Sequence, residues 1–271
     1  MQLDSTRIAI RERGFPEILD LSLRVIRVHG LPLLAALAAG VIPCQLFNYW
    51  LLSGLLEGVD LEVEAPGWYL FAFVVLVVWE MPLATAPMTL YLGQALFVEK
   101  PRAGPIARSL LASLPQLILY QVVLRGLLTM LFVTWLVLFA LWPYLNEVIL
   151  LERNPWRRKQ AGTSSFTRAG VIHALHLPEL IGRWLTSTML GAILLASIWF
   201  AMGFLRQSMF NGDGFDATMY AIYLPLATWL VLGYLAVVRF LSYLDLRIRG
   251  EGWEVELQMR AEAGRLARQL T

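Results

Sequence analysis

The sequence is poor in charged residues. Asp, Glu, Lys and Arg make up 15% of its 271 residues, whereas soluble domains carry about 25%. Hydrophobic residues make up 58%, and the mean hydropathy is +0.62. This composition excludes an ordinary soluble enzyme, because long uncharged stretches are what a bilayer crossing requires. We therefore predict an all-α integral membrane protein with about six transmembrane helices.

Cysteine and histidine are also scarce. A single cysteine, Cys44, excludes an internal disulfide. His173 and His176 have a spacing that metal ligands use, but no third ligand accompanies them. The stretch Asn211–Asp216 resembles a calcium-loop fragment but lacks the closing Glu. Because no phosphate loop, nucleophile elbow or zinc-protease motif occurs, we predict no cofactor, no metal and no enzymatic activity.

Long apolar runs, in contrast, are abundant and predict the membrane crossings. They divide the chain into a cytoplasmic N-terminal segment (1–30), a membrane domain (31–241) and a cytoplasmic tail (242–271). The six predicted spans are Leu31–Leu56, Trp68–Val98, Leu110–Leu124, Leu127–Tyr144, Trp184–Leu205 and Tyr220–Leu241.

The distribution of basic residues predicts the topology. Residues 1–30 hold five arginines, whereas the loop 57–67 holds four acids and no base. Basic loops stay in the cytoplasm, so both termini are predicted to be inside. On this topology only Arg125 and Arg206 among the 22 basic residues are not cytoplasmic. We predict an inner (cytoplasmic) membrane location in a bacterium.

Two cytoplasmic segments are predicted to lie on the membrane surface as helices. The first begins at Pro16, with its apolar residues directed to the acyl chains: Ile18, Leu19, Leu23, Val25 and Ile26. The second begins at Pro155 and has a basic and aromatic start: Trp156, Arg157, Arg158 and Lys159. Such a cluster either binds anionic lipid headgroups or only anchors the topology.

Two charges fall within or beside predicted spans. Glu80 is the only acid inside a predicted span, and a charge there is costly unless it is paired, protonated or hydrated. Pro82 and Pro87 follow it and predict a kink with freed carbonyls. Two interpretations stay open: Glu80 is a proton or cation site of a transporter, or it is a structural partner of Arg125 or of backbone amides at the kink.

The tail after the last predicted span carries the motif YLDLRIRGEGWEVE, residues 243–256. It resembles the tail of bacterial multi-pass proteins related to the membrane domain of glycerophosphoryl diester phosphodiesterases. The segment Ile149–Arg153 followed by Trp156 is similar to a second motif of that family, and Ile18–Asp20 with the arginines that follow is similar to its N-terminal helix. Where the family has Phe-Asp, this chain has Trp253-Glu254.

The resemblance implies a multi-pass membrane protein of unassigned activity. In that family the phosphodiesterase chemistry belongs to a separate barrel domain, which we expect this chain to lack. The predicted cytoplasmic interface combines the second surface helix with the tail residues Asp245, Arg247, Arg249, Glu251 and Trp253. The tail is interpreted either as an interaction site or as a salt-bridged clasp against the basic segment 153–168.

Three functions follow from these observations: a non-catalytic scaffold or accessory subunit, a small-molecule or ion transporter using Glu80, and a membrane-embedded lipid enzyme. We favour the first, because no set of paired catalytic groups is found in the sequence. The predicted partners are the lipid bilayer, anionic lipid headgroups and another membrane protein, with no nucleic acid.

The topology can be tested with single-cysteine probes in a Cys44→Ala background. We expect cysteines at Glu62 and Asp213 to react with an impermeant thiol reagent in intact cells, because both positions are predicted outside. Cysteines at Lys100, Lys159 and Glu262 should react only after permeabilisation. Labelling at Lys159 in intact cells would contradict the six-span topology.

Overall fold

The computed structural model describes residues 14–56, 66–96, 98, 101–124, 126, 144–152, 169–170, 177–210 and 216–251, and no β-strand occurs among them. The predicted all-α fold is thus confirmed for this part of the chain. Five of its helical segments are long and apolar enough to cross a membrane: Phe15–Leu55, Gly67–Ala95, Ala103–Leu124, Pro178–Met209 and Met219–Arg249. The predicted span Leu127–Tyr144 lies outside the described residues except for Tyr144.

Helix α1 (Phe15–Leu52) joins the first predicted surface helix to the first predicted span. It bends at His29 (φ −111°, ψ 19°), one turn before Pro32, whose ring and missing N–H disturb the preceding turn. The prediction that Ile18 and Val25 face acyl chains is wrong. They are 1% and 8% exposed, and they belong to a core cluster that also contains residues of the last helix.

The second span is interrupted at Thr85 into α2 (Gly67–Ala84) and α3 (Ala86–Ala95), so the predicted kink is confirmed. Pro82 and Pro87 cause the interruption, because each removes one backbone donor. The amide of Asn146 donates to the Pro82 carbonyl at 3.3 Å. A side chain from another segment therefore satisfies a backbone acceptor at the break.

Helix α4 (Ala103–Leu117) starts seven residues before the predicted span and continues as a π-helix, Ile118–Leu124. A short helix α5 (Leu145–Glu147) also continues as a π-helix, Val148–Glu152. The topology predicts that residues 146–183 are cytoplasmic, and this stays a prediction. Residues 145–150 are all buried in the protein. The apolar run here is only four residues long, too short to indicate a span.

Helix α6 (Leu177–Phe210) and helix α7 (Leu224–Glu251) complete the described fold, and a π-helix, Met219–Tyr223, precedes α7. Arg206 near the end of α6 forms a bidentate ion pair with Asp216, whose Oδ1 also accepts the backbone N–H of Met219 at 3.0 Å. The hydrogen bonds from Arg206 lower the pKa of Asp216 to about 2. This carboxylate therefore caps the start of the last helical segment while it pairs with the end of the preceding one.

Contacts along α1 show that it runs antiparallel to the α2–α3 segment. The His29 ring and the Tyr91 hydroxyl are 3.1 Å apart near the start of α1. Near its end, the Asn48 amide donates to Glu80 at 2.7 Å. The chain therefore runs in one direction along α1 and returns along α2 and α3.

Helix α7 also runs antiparallel to α1 and is the most buried of the spans. The Trp229 indole donates to the Gln45 amide oxygen at 3.1 Å, and Gly233 lies against Leu37. Of the most apolar 18-residue stretch of α7, 56% is buried, against 11% for α6. The remaining helices therefore pack around α7.

Helix α6 is antiparallel to α7. Gly191 lies against Leu235, and the Trp199 indole donates to the Met219 carbonyl at 3.4 Å. The start of α1, the start of α6 and the end of α7 therefore share one end of the bundle, which we name the Asp245 end. The opposite end, where Arg206 and Asp216 pair, is the Asp216 end.

Large apolar side chains are exposed along the outer faces of the helices. On α1 and α6 they include Leu31, Leu46, Trp50, Met189, Ile193, Phe200 and Phe204. Continuous exposed apolar surface of this kind is typical of contact with lipid tails. The span Phe15–Leu55 has 41 residues, about 60 Å of helix, which exceeds the roughly 30 Å hydrocarbon core of a bilayer.

The closest approach of α1 to α2 yields a stability prediction. A Cβ on Gly40 would overlap the Ala84 carbonyl oxygen and lie 2.8 Å from its carbonyl carbon. We expect Gly40→Ala to lower the free energy of unfolding in mixed micelles by at least 1–3 kcal/mol, on the order of an overpacked core. Gly30→Ala in the same helix is the control, since nothing lies within 4 Å of its Cβ. Equal stability of the two variants would contradict this helix crossing.

Candidate functional site

A largely buried ion pair joins α7 to α5 near the Asp245 end. Arg239 donates from Nε to Glu147 at 2.6 Å and from Nη2 to the Thr85 hydroxyl at 3.3 Å. Glu147 is completely buried. A charged pair without water is tolerated only when both members are well bonded. The pair therefore fixes the position of α5 against α7 and the α2–α3 break.

Sequence reasoning missed this pair. The predicted topology counts Arg239 with the basic residues of the C-terminal tail and places Glu147 in the cytoplasmic segment 146–183. In the structure Glu147 is completely buried and pairs with Arg239 between helices. The available signal was Glu147 immediately before the apolar run Val148–Leu151. A single acid at the edge of such a short run does not distinguish a buried position from a solvated one.

A second group of charges, the Asp245 cluster, consists of Glu179, Arg183, Asp245 and Arg249. Asp245 accepts hydrogen bonds from Arg183 and Arg249, both at 2.8 Å. Glu179 accepts from the same two arginines, at 2.7 and 3.1 Å. The side chains of Arg183 and Asp245 are 7% and 4% exposed. The cluster therefore closes a ring of alternating charge between α6 and α7.

A third contact ties the end of the α5 segment to α7. The Tyr243 hydroxyl donates to Glu152 at 2.8 Å, and Arg247 Nε lies 3.8 Å from the same carboxylate. The Arg247 guanidinium also lies over the Tyr243 ring, 5.9 Å from its centroid. Glu152 thus contacts two residues of the tail motif, Tyr243 and Arg247.

The tail motif therefore makes its described contacts inside the protein. Asp245, Arg247 and Arg249 contact Glu152, Glu179 and Arg183, an arrangement that favours a clasp over an interaction surface. The predicted partner of that clasp, segment 153–168, lies outside the described residues. Other residues of the predicted interface also lie outside the described residues: Trp156, Arg157, Arg158, Lys159 and Trp253. Glu251 is the last helical residue of α7. Their predicted role at the interface stays a prediction.

The carboxylate of Glu80 accepts a hydrogen bond from the side-chain amide of Asn48 on α1, and Asn48 is buried. A carboxylate inside a span is stabilised by such an amide donor. Arg125 lies outside the described residues, so its predicted pairing with Glu80 stays a prediction. The contact to Asn48 is neither of the two predicted structural contacts, which were Arg125 and the backbone amides at the kink.

The acids near the Asp245 end are engaged by neighbouring side chains. Glu147, Glu152, Glu179 and Asp245 each accept a hydrogen bond from Arg or Tyr. Within the part of the chain that the structure describes, no three His, Cys, Asp or Glu residues could hold a metal ion. His173 and His176 lie outside that part.

Comparisons with known proteins do not extend these observations, because no family model, curated protein or solved structure matches the chain. The resemblance to the membrane domain of glycerophosphoryl diester phosphodiesterases therefore stays a prediction.

The buried pair can be tested with a double-mutant cycle. We expect Glu147→Gln and Arg239→Gln each to lower the free energy of unfolding by about 3–5 kcal/mol, since each leaves the other charge buried and unpaired. The double variant should cost less than the sum of the two. Asp20→Asn on the exposed side of α1 is the control, expected within about 0.5 kcal/mol of the parent. Strictly additive losses would show that the two charges do not interact.

Proposed function

We propose that the chain is a non-catalytic scaffold or accessory subunit of a membrane protein complex. It crosses the bacterial inner membrane six times, with both termini in the cytoplasm. Two features support this topology: the start of α1 and the end of α7 lie at the same end of the bundle, and basic residues are concentrated at that end.

The observation that carries the proposal is a division of the arginines at the Asp245 end into two groups. Arg183, Arg239, Arg247 and Arg249 of α6 and α7 are used in internal ion pairs. Arg24 and Arg27 of α1, and Arg102 and Arg108 around the start of α4, have exposed side chains. The first group holds the helices together, whereas the second is directed outward.

We refer to Arg24, Arg27, Arg102 and Arg108 as the outer arginines. Ile106 of α4 packs on the same core cluster as Ile18 of α1, so the two helix starts are neighbours. Guanidinium groups bind carboxylates through two parallel hydrogen bonds, and they attract acidic surfaces before contact. The partner that fits this surface is another membrane protein with an acidic cytoplasmic segment.

A transport function through Glu80 is the alternative. It would need a path past Glu80, whose described polar contact is a hydrogen bond to Asn48. A cavity beside α2 is lined by Val78 and Met81 and not by Glu80. This geometry favours a structural role for Glu80 and gives the scaffold function more support.

The proposal is tested by reversing charge in the outer arginines. We expect the Arg24→Glu, Arg27→Glu double variant to lose its partner, because repulsion replaces attraction at the contact. The control is Arg24→Lys, Arg27→Lys, which retains the charge and should retain the complex. The measurement is the mass of the native complex, extracted in mild detergent from membranes in which the tagged chain is expressed at its natural level.

Two outcomes would contradict the proposal. One is a monomeric parent protein in this measurement, and the other is an unchanged complex mass in the charge-reversed variant. A variant that keeps the complex but retains less anionic lipid would identify the outer arginines as a lipid anchor. That result would also overturn their role in partner binding.

A further inference from the structure

A cavity of about 530 Å³ lies between α6, α7 and α2, in the half of the bundle nearer the Asp245 end. Its α6 wall runs from Leu180 to Leu195, and its α7 wall from Thr228 to Ser242. Walls of this length correspond to about 22 Å of helix. This exceeds half of the roughly 30 Å hydrocarbon core, so the cavity is long enough for an acyl chain of one leaflet.

The cavity is mostly apolar, and it opens toward the bilayer. Leu185, Thr188 and Ala192 line it on α6 and are exposed, whereas Leu232 and Leu235 on the opposite wall are only partly exposed. Its volume is within the 300–1,000 Å³ that small-molecule sites occupy. A flexible hydrocarbon chain entering from the lipid side fits this shape.

Its polar end offers a hydrogen-bond donor. Arg183 lines the cavity, is 7% exposed, and has one buried nitrogen, Nη1, that forms no hydrogen bond to the described residues. Tyr144 also lines the cavity and interacts with the same guanidinium. A buried donor left unsatisfied costs free energy, so an acceptor at this place is favoured.

The charge balance around Arg183 selects the kind of acceptor. The Asp245 cluster has two acids and two arginines, and the neighbouring Glu147–Arg239 pair is also balanced. An anion bound here would give this balanced cluster a net negative charge. A neutral carbonyl oxygen can accept the hydrogen bond without adding charge.

We propose that this cavity binds one ester-linked acyl chain of a bilayer phospholipid, whose ester carbonyl accepts a hydrogen bond from Arg183. The chain lies along the α6 and α7 walls toward Leu195 and Thr228. The headgroup and the second chain stay in the surrounding leaflet. The protein then holds a lipid as part of its packing between α6 and α7.

The test uses two phosphatidylcholine probes in liposomes containing the full chain. Both carry a photoactivatable diazirine in the acyl chain, and one has ester linkages whereas the other has ether linkages, which lack the carbonyl. After irradiation, peptide mass spectrometry measures the label at Leu232 and Leu235 relative to the exposed α1 residues Leu46 and Trp50. The ether probe should label the two leucines about ten-fold less, the loss expected for one hydrogen bond from a charged donor.

Two variants of α6 test the location without disturbing Arg183. Ala192→Phe fills the cavity and should abolish the label at Leu232 and Leu235. Ala196→Phe, one turn further along α6 and also exposed, is the control and should leave the label unchanged. Thermal unfolding of both variants checks that the bundle is intact.

Three results would overturn the proposal. Absence of label at Leu232 and Leu235 would show that no acyl chain enters the cavity. Equal labelling by the ester and ether probes would exclude the hydrogen bond from Arg183. Unchanged labelling in Ala192→Phe would place the probe elsewhere. The measurement does not depend on a partner protein, so it is independent of the proposed scaffold function.

Discussion

A carboxylate that is fully buried between helices needs a cation beside it, and Glu147 has this cation in Arg239. The consequence is that α5 is held against α7, although α5 and its π-helical continuation are too short to be stable alone. Arg239 also bonds Thr85, where the second span is interrupted. One guanidinium therefore connects three segments of the bundle.

The proline-induced break makes this connection possible. Without Pro82 and Pro87, a continuous helix would keep its carbonyls in its own hydrogen bonds. The break instead leaves the Pro82 carbonyl for Asn146, the residue beside Glu147. Asn146 therefore satisfies the Pro82 carbonyl at the break, and the Thr85 hydroxyl at the break accepts a hydrogen bond from Arg239. Such internal hydrogen bonds are required where water is absent.

The arginines at the Asp245 end fall into two groups, one paired with acids inside the protein and one exposed at the surface. Arginines that face neighbouring helices are paired with acids within the protein. Arg183 Nη1 is the nitrogen that we propose to bind a neutral acceptor. The outer arginines on α1 and α4 instead have exposed side chains. In the proposed scaffold function, they are the residues that bind a partner of opposite charge.

The sequence by itself determined the helical class, the apolar crossings in the described residues and the kink after Glu80, because these depend on local composition and on proline geometry. It could not determine that Ile18 and Val25 contact protein, since an apolar helix face is equally compatible with lipid and with a neighbouring helix. Only the tertiary structure decided which charges are paired. Glu147 and Arg239 are 92 residues apart, and Arg183 and Asp245 are 62 apart. No periodicity within one helix encodes such a contact, because it arises only when the helices pack.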